Sequence, residues 1–407
     1  MRRSPTAKGE ESGMNLPRIV IVGAARTAIG KYAGVFATVP AYELGAATVK
    51  AALSRAQVAS TSVDEVIMGC IAQVGADAYN ARRVAIAADI PVSSTAVTVN
   101  RLCGSGLQAI LDGAMQLQVG ASDVVVAGGD ENMTRVPFLM PEARAGYQLG
   151  DRVLLDGTLA ILTDPWSNQL MGATAENVAR AHSVSRADQD GWSLLSQQRA
   201  AAAMARGAFV DQIVPIEVAL GKGKSNSVTV DEHPRADTTL ERLATLRPSF
   251  GTDGTVTAGN SSGINDGAAA VVLMRESDAI SQGRTPLLRL KAWARAGLEP
   301  GLMGYAPAIA IPRALALAGM SISDLDVVEL NEAFAAQVVA VMRATNLTEK
   351  QTNPNGGAIA FGHPVGATGA ILTTRLAYDL KDRDLQTGMV TMCIGGGQAL
   401  AAIFERC

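Results

Sequence analysis

Short apolar runs alternate along the chain with longer stretches in which apolar residues recur every three or four positions. The runs fit strands buried on both faces, and the spaced stretches fit helices with one packed face. Residues 18–23, ending Ile-Val-Ile-Val-Gly, predict a first strand that enters a Gly-Ala-Ala-Arg-Thr turn. Residues 41–56 predict a helix through Leu44, Ala47, Val49 and Leu53. Strands are expected at 63–69, 96–99 and 123–127, and helices at 81–88 and 106–117. Alternation of this kind implies an α/β protein whose mixed sheet is covered by helices on its faces.

From about residue 134 to 260 the pattern becomes polar and irregular, with a charged helical piece at 186–205, and a continuous apolar strand resumes at 268–274. A long insertion between strands of one sheet accounts for this, and loops of such size on α/β scaffolds are usually functional.

The second half then repeats the first. Ser323-Asp-Leu-Asp-Val-Val-Glu resembles Ser62-Val-Asp-Glu-Val-Ile, and Cys103-Gly-Ser-Gly-Leu-Gln-Ala-Ile aligns with His363-Pro-Val-Gly-Ala-Thr-Gly-Ala-Ile. Val124-Val-Val-Ala-Gly-Gly aligns with Met389-Val-Thr-Met-Cys-Ile-Gly-Gly. Two copies of one unit, packed with matching loops together, would set Cys103 and His363 on opposite sides of one cleft.

Composition narrows the class. Of 407 residues 48 % are hydrophobic but only 4 % aromatic, which suits close helix-on-sheet packing. A formal charge of -3 argues against a general nucleic-acid surface, which needs clustered Lys and Arg. Cys70, Cys103, Cys393 and Cys407 show neither a Cys-x-x-Cys spacing nor a dense framework, so no zinc site or disulfide scaffold is indicated and a reducing cytosol is expected. No apolar run reaches the ~20 residues that span a bilayer. Arg2, Arg3 and Lys8 are followed by Glu10 and Glu11, which counts against a transit peptide, and residues 1–14 are expected to be a disordered extension.

Three scarce residues stand in glycine-rich segments that admit close approach of a ligand: Cys103, His363 and Cys393. Cys103 is expected where a strand turns into a helix, whose N-terminus favours the thiolate; the bland alternative is a buried structural cysteine. His363, with an ordinary pKa near neutrality, suits proton exchange with a thiol. Cys393 ends a strand and runs into Gly395-Gly396-Gly397, whose N–H groups can stabilise an oxyanion; the rival reading as a phosphate-binding turn lacks a Gly-Lys signature. Asn331, opening Asn-Glu-Ala-Phe after a strand at 326–329, can anchor a water or simply cap a helix. His182 and His233 lie among charged neighbours and are expected at the surface. With three histidines and no ligand spacing, metal catalysis has little support.

Together, Ala24-Ala-Arg-Thr, the Cys103 segment, Thr257-Ala-Gly-Asn-Ser-Ser-Gly-Ile-Asn-Asp-Gly, Asn331-Glu-Ala-Phe-Ala and the His363 and Cys393 segments resemble the thiolase family, acetyl-CoA acetyltransferases and 3-ketoacyl-CoA thiolases. The resemblance spans nearly the whole chain after Met14. It implies a thiolase fold, two similar α/β halves in a layered α-β-α-β-α core, with an N-terminal domain at 15–133 and 265–283, a loop domain at 134–264 that binds CoA and makes oligomer contacts, and a C-terminal domain at 284–407. It implies Cys103 as acyl-accepting nucleophile, His363 as its base and an oxyanion donor, and Cys393 as the acid/base for the carbanion. Asn331 would hold the water of one oxyanion hole, and the N–H groups of Cys103 and Gly395 would form the other.

Ser262 matches a pantetheine contact, and Arg235 stands near a nucleotide contact. Met171, Met303 and Phe334, with Ala333 beside them, match the lining of the acyl end. CoA is then substrate and product, with no further cofactor, and homodimers or tetramers follow from the resemblance. The chain departs from the family at Leu170, where short-chain members have His, which makes the site more apolar. Phe361 in place of Leu is expected to narrow the neighbouring pocket, Asn132 and Thr134 are polar exchanges, and Ala399 in place of Gly is expected to reshape the Cys393 loop slightly. Acetoacetyl-CoA formation and cleavage is the preferred reaction, with degradative thiolysis of medium or longer 3-ketoacyl-CoA as the alternative. A ketoacyl synthase, which pairs one Cys with two His, and a degenerate binding protein fit less well.

Overall fold

A computed structural model describes residues 16–221 and 223–407; the extension expected at 1–14 lies outside them. Nine strands carry the fold: β1 (Ile19–Arg26), β2 (Glu65–Gly69), β3 (Thr95–Val99), β4 (Val124–Asn132), β5 (Asn265–Arg275), β6 (Leu288–Gly297), β7 (Val327–Leu330), β8 (Thr387–Ile394) and β9 (Gln398–Arg406). They follow one hydrogen-bonded path, β7-β8-β9-β6-β1-β5-β4-β2-β3. The path is nearly cut in two, because β1 and β6 pair only through Val20↔Arg289 and Ile21↔Leu288.

On each side of that cut the pairings run in the same order. In the first half β1–β5 and β5–β4 are antiparallel, and β4–β2 and β2–β3 are parallel. In the second, β6–β9 and β9–β8 are antiparallel and β8–β7 is parallel, with a single parallel bridge Val328↔Thr352 where β3 has its place. The faint sequence repeat is therefore a repeat of topology.

Helices fill the layers. Helix α1 (Ala41–Ala56) and helix α2 (Asn80–Ala87) cover the outer face of the first half, where Val49, Leu53, Val66 and Val84 form one core. Helix α6 (Pro307–Ala318) and helix α7 (Ala335–Thr345) cover the outer face of the second, through Ile311, Val338 and Val341. Between the halves lie α3 (Ser105–Gln118) and α8 (Thr368–Asp382), whose Leu107, Ile110, Ile371 and Leu372 share a core with strands of both halves. The insertion supplies α4 (Met171–Ala181) and α5 (Arg186–Ala205). Ser185 and Asp188 form a reciprocal capping box that starts α5.

Phe361 does not narrow a pocket. It is 1 % exposed in the central core, edge-on to Phe209 at 5.2 Å and under the Arg375 guanidinium at 4.9 Å. Gly362 follows it with φ 99°, a left-handed conformation that turns the chain so that Phe361 and His363 point to different places.

Candidate active site

Cys103 sits in a short turn, Leu102–Gly104, that leads into α3. Leu102 is left-handed at φ 47°, and Ser105 fixes the turn: its Oγ accepts the Arg101 N–H at 2.9 Å and donates to the Leu102 carbonyl at 2.7 Å. The first turns of α3 and α8 meet through glycines. A Cβ on Gly369 would lie 2.3 Å from the Leu107 nitrogen, so only glycine permits this approach. That contact brings the Cys103 loop of one half against the His363 loop of the other.

His363 is 7 % exposed and held on three sides. Its backbone N–H donates to Asn265 Oδ1 at 3.1 Å, and Ile264 bridges to it in parallel. Its Nδ1 lies 2.6 Å from Thr368 Oγ1, while the Thr368 hydroxyl donates to the Pro364 carbonyl at 2.9 Å. The threonine oxygen therefore accepts from Nδ1–H, which leaves Nε2 as the basic nitrogen. Nε2 lies 3.5 Å from Asn331 Nδ2. Burial lowers the imidazole to about 4, so its resting form is neutral.

The helix terminus does not make Cys103 a resting thiolate, contrary to expectation. Burial pushes the thiol up to about 11; the N–H of Gly395 and its own N–H point at the sulfur and offset part of that. The two N–H groups expected to form an oxyanion hole thus already converge on the Cys103 sulfur. Cys393, 1 % exposed, is pushed higher still by burial and by its neighbour Cys103. It lies in an apolar cluster with Met303, Ala333, Phe334 and Met171. Gln398 pairs with Ile394 to close the glycine hairpin, and Ala399 pairs with Cys393 itself.

Asn331 is not a helix cap. Helix α7 starts at Ala335, and Asn331 hangs below β8 by its N–H to the Thr391 carbonyl at 2.9 Å. Its Oδ1 is buried without a partner among the described residues.

A cavity of about 620 Å³ opens over these groups. Cys103, His363, Cys393 and Gly395 line its floor, and Leu170, Met171, Met303, Ala333, Phe334, Ser262 and Arg235 line its walls and mouth. Every expected site residue except the buried Asn331 faces it. Near Cys103 the wall is apolar, with Met133, Leu162 and Val365.

Sequence reasoning missed several supports. Thr368 sets the His363 tautomer, and Asn265 holds its backbone. Phe250 packs edge-on to Phe334 at 6.1 Å. Glu131, wholly buried at the end of β4, accepts from the N–H groups of Ile71 at 3.0 Å, Ala72 at 3.2 Å and Gly366 at 2.8 Å, tying the His363 loop to the first half. Burial raises it to about 7 against those hydrogen bonds. Its signal in the sequence was a charged pair, Asp130-Glu131, at the end of an apolar strand. His233 is not a surface group either: it lines the cavity, and burial followed by the charges of Arg235 and Lys31 lowers it to about 4. His182 is half-buried and stacked on Tyr305 at 3.8 Å. Among the described residues, no group of three or more His, Cys, Asp or Glu is placed to hold a metal ion.

Two duplicated α/β halves bring two thiols and an imidazole to one cavity, a combination suited to covalent catalysis through a cysteine. Two family models match, Thiolase, N-terminal domain over residues 19–277 and Thiolase, C-terminal domain over residues 284–406, and the chain belongs to the thiolase family. It is 47 % identical to the beta-ketothiolase BktB of Cupriavidus necator, over 95 % of this chain and 99 % of that protein. It is 46 % identical to an acetyl-CoA acetyltransferase of Escherichia coli, over 95 % and 98 %. Among solved structures, the Bacillus anthracis acetyl-CoA acetyltransferase superposes with a TM-score of 0.95 at 42 % identity, covering 96 % of this chain and 99 % of that one. Human mitochondrial 3-ketoacyl-CoA thiolase in complex with CoA gives 0.92 at 42 %, covering 96 % and 98 %.

Proposed function

We propose that the chain is an acyl-CoA:acetyl-CoA C-acetyltransferase that joins two acetyl-CoA into acetoacetyl-CoA and catalyses the reverse CoA-dependent thiolysis. The observation that carries this reading is the meeting of Cys103, a neutral His363 with basic Nε2, and Cys393 on one cavity floor. The similar proteins include acetyl-CoA acetyltransferases.

In thiolysis the Cys103 proton passes to His363 Nε2 as sulfur attacks the ketone carbon of the 3-ketoacyl-CoA. The oxyanion on the attacked carbon would meet the N–H groups of Cys103 and Gly395, already turned toward the sulfur. The thioester oxygen, which takes up charge as acetyl-CoA departs, would meet a water held by Asn331 and His363 Nε2–H once that nitrogen has taken the Cys103 proton. One such donor is worth ~10²–10³ in rate. The C2–C3 bond breaks, and the acetyl-CoA carbanion takes the proton of Cys393. The incoming CoA thiol gives its proton to the Cys393 thiolate and attacks acyl-Cys103. The Cys103 sulfur leaves and recovers its proton from His363. Condensation is the same sequence in reverse, so protons balance in both directions without another cofactor.

CoA binding would use Ser262 along the pantetheine and Arg235 at the mouth, with Leu170, Met171, Met303, Ala333 and Phe334 around the acyl end. The apolar wall of Met133, Leu162 and Val365 beside Cys103 favours the second reading, turnover of longer 3-ketoacyl chains. Comparing kcat/KM for acetoacetyl-CoA with that for 3-ketoacyl-CoA of increasing length decides between them: acetoacetyl-CoA is expected to lead, and a marked preference for longer chains overturns the choice.

A homodimer or tetramer is part of the proposal. Phe138, Tyr147, Leu149, Val153, Leu154 and Leu155 are exposed in one segment, an apolar surface of the kind that partners cover. Among the described residues no helix is long and apolar enough to cross a membrane, and a cytoplasmic place in fatty-acid metabolism fits the proposed substrates.

A further inference from the structure

His233 lines the cavity, yet the proton transfers above make no use of it. Its Nδ1 lies 3.3 Å from Asn265 Nδ2. The Asn265 amide has one workable orientation. Its Oδ1 accepts the His363 backbone N–H at 3.1 Å and its Nδ2 donates to the Gly30 carbonyl at 2.8 Å, so a flip would set donor against donor and acceptor against acceptor. Nδ2 therefore donates to His233 Nδ1, and the neutral ring carries its proton on Nε2. A second proton on Nδ1 would face the amide hydrogens, in keeping with a depressed affinity set by burial, Arg235 and Lys31 against the opposing Glu232.

The Cε1–Nε2 edge of the ring faces Gly263, another cavity residue, where a Cβ would come within 2.3 Å of Cε1 and 2.9 Å of Nε2. Nε2 has no hydrogen-bond partner among the described residues and is not sealed from the cavity. Of the other polar side chains on these walls, Gln197 and Ser261 are already committed, whereas the Ser262 hydroxyl has no partner among the described residues and can share the same arm of the ligand. Gln197 accepts the Arg235 N–H at 2.8 Å and donates to the Ile359 carbonyl at 3.3 Å, and the Ser261 hydroxyl donates to the Thr257 carbonyl at 2.7 Å. Leu170 offers none. A neutral N–H donor at this depth suits a neutral acceptor, whereas phosphates suit the arginines at the mouth.

We propose that His233 Nε2–H donates a hydrogen bond to an amide carbonyl of the pantetheine arm of bound acyl-CoA, and that His233 Nδ1 couples this contact through Asn265 to the backbone of His363. The inference rests on the acyl-CoA reading above. It makes His233 a substrate-contacting residue that also positions the base.

Two substitutions separate the ring's two nitrogens. In His233→Asn the amide oxygen takes the place of Nδ1 and keeps Asn265 held, while the donor to the ligand is lost. KM for acetoacetyl-CoA is expected to rise about three- to tenfold, the worth of one hydrogen bond, with kcat changed less than about twofold. In His233→Gln the amide nitrogen takes the place of Nε2, so kcat falls more than KM rises. An unchanged KM in His233→Asn overturns the inference. A measurement on the unaltered protein covers the case in which a variant fails to fold. The chain has 3 histidines, and His233 and His363 are neutral in opposite tautomers, which nitrogen-15 histidine NMR distinguishes. Adding CoA should move the Nε2–H signal of the buried Nε2–H tautomer; an unmoved signal overturns the inference. Absence of acyl labelling on Cys103 in the unaltered protein would instead sink the acyl-CoA reading, so the two failures are distinct.

Discussion

The two halves of the sheet share one order of pairings but deliver different chemistry to the same cavity. The first half brings a central helix whose N-terminal turn carries a thiol, half-buried and touched by two N–H groups. The second brings a central helix preceded by an imidazole, a strand ending in a fully buried thiol, and Asn331 below the imidazole. Duplication accounts for the placement of the loops; the asymmetry between them accounts for the reaction. The two thiols differ most in surroundings. Cys103 has donors ready to receive charge, whereas Cys393 lies among Met303, Ala333 and Phe334 and holds its proton more tightly. A nucleophile needs the first environment and a proton carrier for a carbanion suits the second.

If the halves divide the work in this way, removing the second half's base should produce the largest loss. His363→Ala is expected to slow acylation of Cys103 by ~10²–10⁴, read by rapid-quench mass spectrometry with acetyl-CoA. The unaltered protein should keep its kcat/KM down to about pH 5. His363 has a folded pKa of about 4, below the ordinary 6.5, so its basic form persists to lower pH and is lost only as pH falls through about 4. An acid limb near pH 6.5 would contradict the buried, neutral imidazole.

The contact between the halves is tested next. Gly369→Ala drives a Cβ toward the Leu107 backbone and should cost about 1–3 kcal/mol in thermal or denaturant unfolding, with a loss of activity beyond the loss of folded protein. Thr368→Val removes the acceptor that fixes the tautomer and should lower kcat about three- to tenfold with little change in melting temperature. Gly191→Ala, in α5 with open space around its Cβ, touches neither half's loops and should stabilise the protein by about 0.5–1 kcal/mol.

Much of this architecture was legible in the chain because local rules and tertiary packing agree. The span 186–205 is readable at its start because Ser185 and Asp188 cap it and at its end because the left-handed Gly207 follows, and the reactive loops because scarce Cys and His stand among glycines. The misreadings share a cause, since side-chain direction and burial are set by distant segments. Phe361 adjoins His363 in sequence, but Gly362 turns it into the core. His233 has charged neighbours, but Asp231 is drawn inward by a bidentate pair with buried Arg26, at 2.8 and 2.9 Å, and carries the histidine with it. The expected thiolate at Cys103 followed from the helix terminus alone, whereas burial is the larger influence. Thr368, Asn265 and Glu131 act on residues far from them in sequence or on a ring whose orientation the sequence does not carry.

The division of labour between the two thiols is tested most directly in Cys393→Ser. With acetyl-CoA, intact-mass and peptide mass spectrometry should show Cys103 acetylated as in the unaltered protein, while exchange of the acetyl-CoA methyl hydrogens with deuterated water is lost. Exchange persisting at the unaltered rate, or acetylation missing from Cys103, would contradict the account.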